Sequence, residues 1–143
     1  MSRIVFDTCV FIAYNPALPA GSLLSLVVIQ ELMAGAADNS ELKDWEATAK
    51  KFEKETRLLV PTTEDWLLAG RVLNSLLRGL KSKHGGKTPK LPPGEIQRIV
   101  RDVLIARTVK RAGCLLITDN LADFKQIKKF CDVRLLSGKD FFG

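Results

Sequence analysis

Asp7 directly follows the apolar run Ile4-Val5-Phe6, Glu31 follows the run Leu23 to Ile29, and Asp119 with Asn120 follows Cys114 to Ile117. Carboxylates are hard oxygen ligands, and a ligand set of them without His or Cys selects Mg²⁺ or Mn²⁺. A fourth acid, Asp102, lies inside a helical pattern. Ile99, Val103 and Ala106 surround it at helical spacing, so its charge stands at the edge of a buried face and needs compensation. Two partners can supply it: Arg98 or Arg101 on the same helix, or a divalent cation shared with Asp7 and other carboxylates. His84 has no Cys or His at metal-ligand spacing, which argues against zinc.

The elements that must hold these residues alternate between strand and helix. Short β-rich runs precede Asp7 and Glu31, so each of these acids is expected to follow a strand, with helix beginning at Gln30. Helical composition runs from Ser40 to Arg57 with a cap at Asn39 or Ser40, and Leu58-Leu59-Val60 reads as a brief strand stopped by Pro61. Thr62 and Asp65 form a capping box that opens a helix from about Glu64 to Leu80. Trp66 falls on its apolar stripe and is expected in the core. Lys81 to Pro93 contains Gly85-Gly86, three prolines and four lysines, and reads as an exposed, mobile loop. A helix restarts at Pro93 or Gly94 and ends on Gly113. Cys114 to Ile117 reads as a buried strand, Leu121 to Phe130 as a short helix and Val133 to Leu136 as a last strand. Strands apolar on both faces, alternating with helices, imply a central, mainly parallel sheet in a three-layer α/β/α sandwich.

The 143 residues suit one domain, 1–143, with one core. No apolar run approaches the roughly 20 residues needed to span a bilayer, and the N-terminus lacks a signal-peptide layout, so a cytoplasmic protein is expected. Cys9, Cys114 and Cys131 are too few and scattered for a disulfide framework and read as small buried residues. The net charge of +6 is unevenly spread: eight Lys/Arg against one acid, Glu95, lie between Arg71 and Arg101. That stretch suits a polyanion, although a solvated face would carry the same pattern.

Taken in order, these residues resemble a PIN domain, most closely the VapC-type toxins of toxin–antitoxin pairs. Ile4-Val5-Phe6-Asp7-Thr8 is similar to the family's opening strand and first acid, and Ser25 to Leu32 to its second block. Asp102 to Ala106, running to Gly113, matches the third, and Thr118-Asp119-Asn120 with Asp123-Phe124 the fourth. The family's fourth acid most often sits two places after the threonine, where this chain has Asn120. Asp119 is the expected substitute, and Asp123 is read instead as a helix cap.

The resemblance implies a metal-dependent endoribonuclease using Mg²⁺ or Mn²⁺. Asp7, Asp102 and Asp119 would hold metal, Glu31 would ligate through water or orient the nucleophile, and Thr8, Thr118, Asn120 and Asp123 would support them. Lys81, Lys83, Lys87, Lys90, Arg98 and Arg101 would hold the RNA backbone. A cognate antitoxin and a homodimer are the implied partners, and no membrane. Two other readings stay open: a non-catalytic RNA-binding or scaffold PIN domain, and an Mg²⁺-binding receiver-like phosphoacceptor. A receiver is disfavoured because a key Asp lies inside a helix.

Overall fold

The computed structural model describes residues 3–83, 85–86 and 91–143. Its strands are β1 (Ile4–Phe6), β2 (Leu24–Ser25), β3 (Leu58–Leu59), β4 (Leu115–Ile117) and β5 (Leu135–Leu136). Its helices are α1 (Thr8–Tyr14), α2 (Leu26–Ala34), α3 (Asn39–Lys54), α4 (Thr63–Lys83), α5 (Glu95–Arg111), α6 (Leu121–Gln126) and α7 (Gly138–Phe142). Every strand pair is parallel, with β4 between β1 and β5, and β2 beside β3. The Leu23 N–H donates to the Ile4 carbonyl at 3.1 Å and joins the two ribbons into the order β3-β2-β1-β4-β5. Helices flank this sheet, giving the expected α/β/α architecture.

The chain leaves β1 toward β2 and β3 and returns on the other side of β1 as β4. The order of the strands therefore reverses between β1 and β4, the place where open parallel sheets form their ligand crevice. Val5 and Phe6 are buried in β1, as are Leu116 and Ile117 in β4. Phe6 meets Phe11 of α1 edge-on at 5.8 Å and stacks on Phe142 of α7 at 5.9 Å. Helix α5 buries Ile99, Val103, Leu104, Ile105, Ala106 and Val109 and packs on β2 and β4.

Several boundaries differ from the sequence reading. Most of Leu23 to Ile29 is helix rather than strand: Ser25 caps α2 by accepting the Val28 N–H at 3.3 Å. A short run apolar on all sides fits a buried strand or a buried helix equally well by periodicity. Glu31 consequently projects from the middle of α2 and does not follow a strand. Asp38, not Asn39 or Ser40, caps α3: it accepts the Glu41 N–H at 2.8 Å while Glu41 returns a bond to the Ala37 N–H at 3.1 Å. Helix α4 runs to Lys83, so Lys81 and Lys83 are exposed helical residues rather than loop residues. Trp66 is 55% exposed, because the apolar stripe of α4 that turns inward is carried by Ala69 and Val72. Helix α6 ends at Gln126, and α1 and α7 were not expected at all. His84, Lys87 and Lys90 lie outside the described residues.

The Thr62–Asp65 capping box forms as read: Asp65 accepts the Thr62 N–H at 2.8 Å and the Asp65 N–H reaches the Thr62 hydroxyl at 3.3 Å. Asp65 does more than cap. Its fully buried carboxylate receives Arg111 at 2.6 Å and Arg107 at 3.2 Å, tying the start of α4 to the end of α5. Burial works to raise its pKa, but the Arg111 and Thr62 bonds outweigh burial and hold it below the ordinary carboxylate value. No helix among the described residues is long and apolar enough to cross a membrane.

Candidate functional site

Asp7 leaves β1 in extended conformation and caps α1, its Oδ1 accepting the Thr8 N–H at 2.8 Å. Its other oxygen, Oδ2, accepts the Thr118 hydroxyl at 2.7 Å from the end of the adjacent strand β4. Thr118 is fully buried, and its oxygen in turn accepts the Asn120 N–H at 3.0 Å. Thr118 thus links the turn after β4 to the acid after β1. Burial raises the Asp7 pKa, and the Thr118 and Thr8 bonds only partly offset it. Cys9 lies alongside, its thiol 3.7 Å from Asp7 Oδ2 and 3.6 Å from the Thr118 hydroxyl.

Three further carboxylates interact with Asp7. Burial raises the Asp102 pKa to about 7, helped by the negative charges of Asp7, Asp123 and Glu31 and opposed by Arg98. Burial also raises Glu31, with Asp7 adding to it and Arg101 opposing, and Asp123 contributes to the rise at Asp7. Asp7 and Asp102 are therefore each repelled by the other and by Glu31 and Asp123, a group drawn from the end of β1, α2, α5 and α6. The Thr8 hydroxyl oxygen, buried with no hydrogen-bond partner at ordinary distance, lies close enough to Glu31 to oppose the rise in its pKa.

Arginines are already engaged here. Arg98 Nη1 contacts Asp102 at 3.1 Å and Asp123 at 3.1 Å, its remaining nitrogens bond Glu95, and Arg101 approaches Glu31 at 3.7 Å. The same-helix salt bridge weighed for Asp102 is thus present, and it leaves the Asp102 pKa high. Arg98 and Arg101, expected on a basic RNA-holding face, instead turn toward the carboxylates. Among the described residues no three His, Cys, Asp or Glu side chains converge tightly enough to cage an ion as they stand.

Asp119 is placed differently from the expectation. Its Oδ1 accepts the Gly138 N–H at 2.8 Å and the Lys139 N–H at 3.3 Å, while Oδ2 accepts the Tyr14 hydroxyl at 2.7 Å. The Tyr14 bond leads the interactions that hold its pKa below the ordinary value. Both oxygens are taken by α7 and the end of α1, so this exposed carboxylate latches the last helix rather than facing Asp102. Gly138 fits that latch because a Cβ there would stand 2.7 Å from the Tyr14 ring and 3.0 Å from Asp119 Oδ2. Asp123 is not a cap either: it sits in the first turn of α6 with its carboxylate on Arg98, and Asn120 holds the cap position without a side-chain bond. Sequence spacing carried a signal for Arg98, four residues before Asp102, but none for the Tyr14–Asp119–Gly138 latch.

No family model matches the chain, and no curated protein matches it in sequence. Solved structures do match in fold. The structure of VapBC-1 from nontypeable Haemophilus influenzae aligns at 20% identity with a TM-score of 0.55, over 95% of this chain and 98% of that one. DNA-bound VapBC from Salmonella typhimurium aligns at 19% identity and 0.53, over 96% and 99%. FitAcB from Neisseria gonorrhoeae aligns at 16% identity and 0.52, over 95% and 98%. The likeness extends along nearly the whole chain, which shares the α/β fold of these VapBC and FitAcB structures.

Proposed function

We propose that this chain is a divalent-cation-dependent endoribonuclease and the toxin member of a toxin–antitoxin pair. The observation that carries the reading is the repelling group Asp7, Glu31, Asp102 and Asp123 at the carboxyl edge of the sheet, where Asp102 stays near 7 although Arg98 touches it. The donors are all hard oxygen atoms with excess negative charge, which fits Mg²⁺ or Mn²⁺ in kind and in charge. Bound there, such an ion supplies charge to neutralise the scissile phosphate and to acidify an attacking water.

The protein's own groups have separable tasks in this reading. Asp7 and Asp102 are the principal ligands, and Asp123 joins them from α6. Thr118 and the Thr8 N–H fix the Asp7 carboxylate so that it is aimed before any ligand arrives. Glu31, with its pKa raised, is suited to orient water and to take up its proton. Exposed Lys81 and Lys83 on α4 would hold RNA phosphates. The similar structures are of VapBC, FitAB and FitAcB, some of them DNA-bound. By this likeness we infer a protein antitoxin as partner, and we propose separately that the chain forms a homodimer.

The test is cleavage of a mixed RNA pool by the purified protein in Mg²⁺ or Mn²⁺, beside Asp7→Asn, Asp102→Asn and excess chelator. Cleavage lost in all three is the expected result. Cleavage that survives both substitutions would overturn the reading. The presence of Arg98 and Arg101 on the same carboxylates favours one other possibility, a PIN domain that binds RNA without cutting it, and this would show as binding without products.

A further inference from the structure

Arg98 divides its nitrogens between two sides. Nη1 faces the site and touches Asp102 Oδ2 and Asp123 Oδ1, each at 3.1 Å. Nε and Nη2 face outward, to Glu95 on the same helix, and Nη2 also reaches Gln126 Oε1 at 3.3 Å. Two carboxylates of the repelling group are thus joined by a single guanidinium nitrogen, while the other two nitrogens are anchored elsewhere. Guanidinium keeps its charge at every accessible pH, so at a pH where both carboxylates are ionised it leaves Asp102 and Asp123 when another cation replaces it.

Resting on the metal-dependent reading, we propose that Arg98 is an exchangeable counter-ion. In the metal-free protein its Nη1 holds Asp102 and Asp123. When a divalent cation takes those oxygens, the attraction on Nη1 is lost, but Glu95 and Gln126 keep the arginine in place. Nη1 then points at the edge of the loaded site with nothing to bond, and the anion at hand is an RNA phosphate. A guanidinium is well matched to phosphate oxygens, and exchanging one anionic partner for another costs less than stripping the group bare. Arg98 is therefore a substrate-binding residue whose availability depends on the cation, and Glu95 is the positioning residue that retains it. The arrangement differs from that of Arg101, whose carboxylate partner among the described residues, Glu31, lies at the longer distance of 3.7 Å.

Calorimetric titration of Mn²⁺ into the whole chain without RNA reads the exchange directly. Arg98→Gln should bind Mn²⁺ roughly fivefold more tightly than wild type, the size of a partly exposed ion pair. Arg98→Lys should also bind more tightly, because one ammonium cannot span Glu95 and both aspartates; a mere long-range charge effect would leave it at the wild-type affinity. Glu95→Gln should weaken Mn²⁺ binding, since Arg98 then settles fully on the aspartates. RNA binding measured in Ca²⁺ with Arg98→Gln should lose about one unit of salt slope. Wild-type Mn²⁺ affinity in both Arg98 variants, or an unchanged salt slope, would overturn the exchange alone. If neither wild type nor any variant binds Mn²⁺, the metal-dependent reading falls and takes the exchange with it. Melting curves establish that each variant is folded, and Arg98→Lys carries the comparison if Arg98→Gln is not.

Discussion

The Thr118 hydroxyl donates to Asp7 Oδ2 at 2.7 Å, so the acid after β1 is held by the residue that ends β4. This bond exists because β1 and β4 pair in parallel and in register, Phe6 opposite Ile117, which brings the two strand ends side by side. Replacing Thr118 by Val keeps the shape and removes both the donor to Asp7 and the acceptor for the Asn120 N–H. A stability loss of about 1–3 kcal/mol is expected from the unpaired buried groups. Cleavage should fall by about 10- to 100-fold because the Asp7 carboxylate loses its orientation. Thr118→Ser should restore most of both. Thermal melting with RNA cleavage measures the pair of effects, and a Val variant with full activity would remove Thr118 from the site.

Asp102 makes stability depend on pH in a defined direction. Its pKa in the folded chain is about 7, above the ordinary value of 3.8, so the folded state favours the protonated form. The stabilisation is fully present below about pH 4 and is lost as pH rises through 7. Metal-free wild type should therefore melt at a lower temperature at pH 8 than at pH 5.5. Asp102→Asn should flatten this difference while abolishing cleavage, since the amide keeps the shape and loses the charge. Identical pH dependence of melting in the two proteins would contradict the electrostatic account of this residue.

The fourth acid of the site is expected to be Asp123. Asp123→Asn should lower metal-dependent cleavage at least about tenfold with little effect on folding. Asp119→Asn should behave in the opposite way, loosening α7 by weakening its bonds to Gly138, Lys139 and Tyr14 while leaving metal affinity nearly intact. Limited proteolysis at the C-terminus, set beside Mn²⁺ titration, separates the two roles. Loss of Mn²⁺ binding in Asp119→Asn alone would reverse the assignment.

Asp65 should matter for stability and not for chemistry. Truncation to Ala removes a helix cap and leaves Arg107 and Arg111 without their shared carboxylate, for a cost of about 2–4 kcal/mol. Chemical denaturation reads this loss. RNA cleavage per folded molecule, corrected for the unfolded fraction, should stay at the wild-type level.

Local patterns in the sequence determined much of the architecture. Strand and helix alternation implied the parallel sheet, the Thr62–Asp65 pair opened α4 as read, and Gly113 closes α5 with a positive φ of 68°. These features are set by neighbours within a turn or two, so composition and spacing report them faithfully. The spacing of Arg98 and Asp102 offered their salt bridge for the same reason. Tertiary structure alone decided which acids face one another. Asp119 and Asp123 are four residues apart and chemically alike, yet one latches α7 and the other meets Arg98. Asp65 draws its arginines from 42 and 46 residues away. Glu31 reaches the site because Ser25 starts a helix inside an apolar run that would serve equally well as a strand. The direction a side chain points depends on the packing of elements distant in the chain, and no local pattern encodes it.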